Sequence, residues 1–388
     1  LFCAASPVAL ADSVLSLKIV FQDYLNINLI IFASIMELLV YTLAILISFY
    51  MLAQVTDGYF IPALERIAEK NNISSDVAGT TLMAMGSSAP ELFIALIAVF
   101  RPGGHEAIGI GTIVGSALFN ILVIIGATAL ARKAILSWQP VLRDVLFYII
   151  GVGLLAYVFH NNHISVVEAS ILILLYVGYI FSVMRWKHWF PYKDDAETLP
   201  PQVDVDKVKK YKMLRYLLVP FDALMRLTFP AIRKHWGVFT IAIIWISLLS
   251  WVLVESAIHV SYALNVPEAI IALTVLAIGT SVPDLISSYI VAKNGKGGMA
   301  VSNAIGSNIF DVLIGLGVPW LIALVFFGRT IEVVAANFIY SVMLLFGSVI
   351  LVFLLIAFSG WKLYRQTGII LIGVYVAYLL WQIYGVLG

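Results

Sequence analysis

Met83-Ala84-Met85-Gly86-Ser87-Ser88-Ala89-Pro90-Glu91-Leu92 and Leu276-Ala277-Ile278-Gly279-Thr280-Ser281-Val282-Pro283-Asp284-Leu285 are two versions of one motif, 193 residues apart from Glu91 to Asp284. Each lies in a long apolar stretch, and each carries one acid. A charged side chain at membrane depth costs at least about 2.5–3.5 kcal/mol on insertion scales, so it is seldom kept there without a task. Two acids at matched positions of a duplicated pattern point to one cation site built from both copies.

The duplication runs on. Gly111-Thr112-Ile113-Val114-Gly115-Ser116-Ala117-Leu118-Phe119-Asn120 matches Ser302-Asn303-Ala304-Ile305-Gly306-Ser307-Asn308-Ile309-Phe310-Asp311, with 191 residues between Asn120 and Asp311. The register therefore holds over two apolar segments in each half.

Of the 388 residues, 62% are hydrophobic and only 12% charged, against about 25% charged in a soluble domain. This composition predicts an all-α polytopic membrane protein. A net charge of +1 gives no pull toward nucleic acid, Cys3 has no intrachain partner, and the six histidines lack metal-ligand spacing. No cofactor is expected. A membrane-crossing helix needs roughly 20 apolar residues, and ten segments qualify: 28–54, 74–100, 106–131, 141–160, 164–185, 237–260, 267–292, 298–327, 331–358 and 366–387. The expected division is an extracytoplasmic segment 1–27, a first five-helix repeat 28–185, a loop 186–236 and a second five-helix repeat 237–388. The motifs begin at spans two and seven, an odd number of crossings apart, so the repeats are inverted, as in many secondary transporters.

Orientation follows from Lys and Arg. With the N-terminus outside, 20 of the 23 basic residues fall on the cytoplasmic side; Lys18, Arg101 and Arg329 are the exceptions. Both termini are thus expected outside and loop 186–236 inside, with the plasma membrane as the expected location. Leu1 to Ala11 reads either as the remnant of a secretory signal or as a plain apolar tail. In the loop, Tyr192 to Lys210 has the composition of a flexible linker. Tyr211 to Trp236 mixes apolar and basic residues, which suits either an anionic-lipid contact or a simple tether. Tyr59 to Lys70 sets Phe60, Leu64 and Ile67 on one helical face.

The motif itself has a physical reading. Pro90 and Pro283 lack an N–H, so the carbonyls of Gly86 and Gly279 lose their helical donors. Helix interruptions are expected there, gathering freed carbonyls, Ser/Thr hydroxyls and one carboxylate at one level. Such backbone survives at depth only when buried in protein or lining a hydrated cavity. The ligands are hard oxygens, suited to Na⁺ and Ca²⁺. Gly111, Gly115, Ser116, Gly306 and Ser307 allow close helix approach, and Gly115 and Gly306 read as packing residues.

On Gly-Ser-Ser-Ala-Pro-Glu at 86–91, Gly-Thr-Ser-Val-Pro-Asp at 279–284 and the two Gly-Ser-x-x-Phe-Asn/Asp segments, the chain resembles the cation/calcium exchanger superfamily, and within it the potassium-dependent sodium/calcium exchangers. The resemblance covers both repeats. It implies that Glu91 and Asp284 are the central acids and that the Ser87, Ser88, Thr280 and Ser281 hydroxyls and the Ala84 and Ala277 carbonyls surround them. It also implies Ser116 and Ser307 as serines from the facing spans, Asn120 and Asp311 as an outer pair, and Asp311 with Asn308 as the K⁺ position. Glu91, Asp284 and Asp311 are then the acidic metal ligands. In the potassium-dependent branch an acid at the Asp311 position goes with K⁺, where potassium-independent animal exchangers carry Asn.

Glu91, Asp284 and Asp311 total −3 when ionised, and one Ca²⁺ with one K⁺ balances them; a buried site should load to near neutrality. The leading expectation is an antiporter exchanging Na⁺ for Ca²⁺ with K⁺ cotransport, and no enzymatic activity. A K⁺-independent Na⁺/Ca²⁺ or Ca²⁺/H⁺ exchanger fits the same residues. A cation channel would more often carry a ring of filter loops. A primary pump would need a nucleotide-binding loop, and no such motif stands out.

Overall fold

Apolar runs of membrane length have no water to satisfy their backbone, so they close their hydrogen bonds as helices. A computed structural model describes residues 32–71, 81–82, 84–160, 163–191, 212–229, 235–331 and 335–387. The N-terminal segment, the linker 192–210 and the start of the second expected span lie outside them. The described chain is built from α1 (Phe32–Ala68), α2 (Ala84–Ser87), α3 (Ala89–Phe100), α4 (Glu106–Ala131), α5 (Trp138–His160), α6 (Val166–Trp189), α7 (Lys212–Thr228), α8 (His235–Leu264), α9 (Glu268–Lys293), α10 (Gly297–Phe326), α11 (Ala335–Phe358) and α12 (Arg365–Leu387). Nine of these are long and apolar enough to cross a membrane among the described residues. The tenth crossing is the broken pair α2–α3.

Two expectations change here. The first helix does not stop at residue 54; it runs to Ala68, absorbing Thr56–Phe60 as a π-helical turn. The two motifs also fold differently. At Ser88 the chain turns (φ −90°, ψ 6°), ending α2 and starting α3 with Pro90 in its first turn, where a missing N–H costs little. Pro283 instead sits inside the unbroken stretch Ala277–Lys293. There the irregularity is a π-helical turn just upstream, Ala272–Leu276.

The inversion is written in the packing. From α2–α3 to α9 the chain makes five crossings, so the two motifs run in opposite directions. α12 lies on the end of α4, and α6 lies on the end of α10, a pair of contacts related by the repeat. The connecting loops do the same. Ala134–Ile135 (β1) pairs antiparallel with Lys362–Leu363 (β2), and Leu136 N–H donates to the Trp361 carbonyl at 2.9 Å. At the matching place Ile164 N–H donates to the Ile331 carbonyl at 3.3 Å. π-helical turns begin at Asn120 and at Asp311, the ends of the second motif pair.

The interior divides in two. The larger core joins α4, α5, α6, α10, α11 and α12. A second core joins α1, α3, α7, α8 and part of α9. Leu174, Val177 and Phe181 form one outward stripe at helical spacing, as a lipid-facing surface requires. Arg143, counted among the loop charges from sequence, is buried in α5 and paired with Asp144 at 2.8 Å. Asp144 also accepts from Tyr179 of α6 (3.1 Å) and Ser302 of α10 (3.2 Å), tying the halves together. α7 packs on the protein: Phe229, just beyond it, stacks on Tyr59, and Tyr50 donates to Asp222 at 2.8 Å. Leu224, Arg226 and Leu227 face outward.

Candidate cation site

The two motif pairs meet where α2–α3, α4, α9 and α10 cross. α4 can approach α9 only because residue 115 is glycine: a Cβ there would lie 2.5 Å from the Leu273 carbonyl oxygen and 2.6 Å from the Ala277 Cβ. That approach brings the Ser116 and Ser281 hydroxyls to 2.9 Å. The repeat-related pair is Ser88 and Ser307, and there the Ser88 hydroxyl donates to the Ser307 carbonyl at 3.4 Å. Each half thus offers one serine from its first motif and one from its second.

The acids stand around these serines. Glu91 lies in the first turn of α3, where the helix dipole favours a carboxylate, and is 2% exposed. The hydroxyls of Thr280 and Ser116 lie beside it. Asp311 is 1% exposed at the start of its π-helical turn, near Ser88. Asp284 is only partly buried and lines a cleft with Ser87, Thr280, Gly279, Thr56 and Asp57. Glu91, Asp284 and Asp311 are close enough to repel one another. Even so, among the described residues no three His, Cys, Asp or Glu side chains converge tightly enough to hold one ion. The three acids are fixed on three different helices, α3, α9 and α10.

The remaining sequence candidates are placed as follows. Thr280 donates to the Leu276 carbonyl at 3.1 Å and lies 3.4 Å from the Ala277 carbonyl; Ser87 donates to the Ala84 carbonyl at 3.3 Å. Asn120 donates to the Asn308 side-chain carbonyl at 2.8 Å, so its partner across the pseudo-two-fold is Asn308 and not Asp311. Asn308 in turn donates to the Ala117 carbonyl (3.0 Å) and to Tyr148 (3.1 Å). With three contacts, Asn308 is held as a fixed amide between α4, α5 and α10.

What remains is a set of buried oxygens without a hydrogen-bond partner: Glu91 Oε2, Ser307 Oγ, Asn120 Oδ1 and both carboxylate oxygens of Asp311. Buried polar atoms are almost always paired, and each one left unpaired costs about 1–3 kcal/mol. Hard oxygens left unsatisfied by the protein on α3, α4 and α10, helices that cross here, are what an oxygen-seeking cation requires.

Sequence reading missed four contributors. Tyr148 and Ser250 hold the site from outside, Ser250 reaching the Pro90 carbonyl at 3.5 Å. Thr56 and Asp57 of α1 reach the cleft because their helix runs on past residue 54. An acid at the end of an apolar run was the available signal, but Asp57-Gly58 reads as a helix end.

A family model described as sodium/calcium exchanger protein matches residues 40–185 and 234–384. The chain is 32% identical to the sodium/potassium/calcium exchanger 5 of Homo sapiens, over 86% of this chain and 80% of that one. It is 29% identical to the sodium/potassium/calcium exchanger 4 of Mus musculus, over 89% and 81%. It also shares its fold with the sodium-calcium exchanger NCX_Mj, solved after soaking with Na⁺ and Sr²⁺: TM-score 0.55, 24% identity, covering 88% of this chain and 98% of that one. The chain is a multi-pass membrane protein and belongs to the sodium/calcium exchanger family, among relatives named sodium/potassium/calcium exchangers.

Proposed function

We propose that this protein exchanges Na⁺ for Ca²⁺ and carries K⁺ along with Ca²⁺, by alternating access around the site between the repeats. The observation that carries the reading is the group of unpaired buried oxygens on Glu91, Ser307, Asn120 and Asp311 at the crossing of the two repeats. Glu91 and Asp284 serve Ca²⁺ or Na⁺, with the Ser87, Ser88, Thr280, Ser281, Ser116 and Ser307 hydroxyls, the Ala84 and Ala277 carbonyls and Asn120 completing the shell. Asp311 supplies the charge for K⁺, and Asn308 fixes the wall beside it. Na⁺ ions and the Ca²⁺–K⁺ pair are then competing loads that each neutralise the acids.

In the alternating step the core centred on α1 and α8 shifts against the core centred on α5, α11 and α12, with α3, α4 and α9, which contribute to both, between them. Loop 186–236 faces the cytoplasm, both termini lie outside, and the plasma membrane is the setting. The outward face of α7, with Leu224, Arg226 and Leu227, rests on the anionic inner leaflet.

The test is Ca²⁺ uptake against K⁺ concentration in proteoliposomes holding wild type or Asp311→Asn. K⁺ is singly charged and depends on the Asp311 carboxylate more than Ca²⁺ does, since Glu91 and Asp284 still offer −2. Wild type should need K⁺, and Asp311→Asn should lose that need while keeping much of its Na⁺-driven Ca²⁺ exchange. A wild type indifferent to K⁺, or a mutant that keeps the requirement, removes K⁺ from the mechanism.

A further inference from the structure

The cleft that reaches Asp284 has a wall that neither copy of the duplicated motifs supplies. The π-helical turn of α1 presents Thr56 and Asp57 to it, opposite Ser87, Thr280 and Asp284. Thr56 is 5% exposed, yet its hydroxyl has no hydrogen-bond partner. Asp57 has no basic partner among the described residues, and it lies close enough to Asp284 for the two charges to repel. π-helical turns are rare and are found mostly as single turns inside α-helices, frequently at functional sites.

We propose that Thr56 and Asp57 form a cation-entry station beside Asp284, which hands Na⁺ or Ca²⁺ on to the position that Asp284 shares with the buried Glu91. The donors offered are two carboxylates and hydroxyls, all hard oxygens, so the ligand is an alkali or alkaline-earth cation. Under alternating access a cleft beside the site opens to one side of the membrane at a time. The station therefore serves one face of the membrane. Pro90 lines the cleft and its neighbour Glu91 does not, so Glu91 receives the ion after Asp57 and Thr56 have replaced part of its water.

This inference rests on the exchange reading, so its test separates the two. Half-saturating Ca²⁺ and Na⁺ concentrations are measured on each face, using oriented vesicles that contain the full chain. Loss of a charged ligand should weaken cation affinity by about tenfold, at the low end of what outer-shell carboxylates contribute in metal sites. Asp57→Asn should show that loss on one face and no more than about a twofold change on the other. Thr56→Val keeps size and removes the hydroxyl, so it should shift the same face by a smaller factor. Wild-type values for both variants on both faces, or equal shifts on both faces, overturn the station. If Asp57→Asn does not fold, Thr56→Val decides alone by the same criterion. If wild type shows no Na⁺-coupled Ca²⁺ uptake, the exchange reading falls. The station is then judged by thermal stabilisation of detergent-solubilised protein with Na⁺ or Ca²⁺, which Asp57→Asn should weaken and which, if unchanged, refutes it.

Discussion

Gly115→Ala puts the geometry of the site to a quantitative test. The added Cβ would lie 2.5 Å from the Leu273 carbonyl oxygen and 2.6 Å from the Ala277 Cβ. Non-bonded carbon atoms prefer about 3.5–4.0 Å, so α4 and α9 must part by about 1 Å. Neither obstacle is the tip of a flexible side chain that could turn aside. Overpacking of this kind costs about 1–3 kcal/mol. The next residue, Ser116, meets Ser281 at 2.9 Å, and a shift of about 1 Å takes that pair beyond hydrogen-bonding range. The Glu91 surroundings open with it. Ca²⁺ uptake should fall by about tenfold or more, since about 1.4 kcal/mol lost from the site is a factor of ten in binding. The thermal unfolding midpoint in detergent should fall as well. Gly153→Ala is the control, because a Cβ there meets nothing within 4 Å; it should match wild type in both measurements. A Gly115→Ala protein with wild-type uptake and midpoint would refute the claim that this helix contact sets the site.

Three further expectations follow from the same structure. Glu91→Gln or Asp284→Asn should each nearly abolish Ca²⁺ flux while leaving the unfolding midpoint close to wild type; normal uptake by both folded variants would remove the acids from the site. Protease added to sealed right-side-out cells should leave loop 186–236 intact, and cleavage there would reverse the proposed orientation. Protons should compete with Na⁺ and Ca²⁺ for the carboxylates, so at subsaturating cation the flux should fall as pH falls, and a flux indifferent to acid would argue against carboxylate ligands.

Much of this was legible in the sequence because the membrane limits the options. Apolar runs of crossing length become helices, and the duplicated Pro-acid motifs marked the place where those helices meet. The particulars were not legible, for reasons that can be named. Pro90 and Pro283 occupy equivalent positions, yet only the first accompanies a turn, at Ser88; the second is absorbed in α9 behind the π-helical turn Ala272–Leu276. Local chemistry is nearly the same in the two copies, so packing decides. Asn308 and Asp311 lie one turn apart on one helical face, and only the register between α4 and α10 selects Asn308 as the partner of Asn120. Asp57 escaped because Thr56-Asp57-Gly58 looks like the end of a span, whereas the chain carries it through a π-helical turn into the cleft.

Radiolabelled Ca²⁺ uptake into proteoliposomes of the purified protein, with Na⁺ and K⁺ gradients imposed independently, is the decisive measurement. Uptake should require Na⁺ on the opposite side, should rise when K⁺ is supplied on the Ca²⁺ side, and should vanish in Glu91→Gln. Uptake that proceeds equally well without a Na⁺ gradient, or that survives in Glu91→Gln, would contradict exchange through the oxygens gathered between the two repeats.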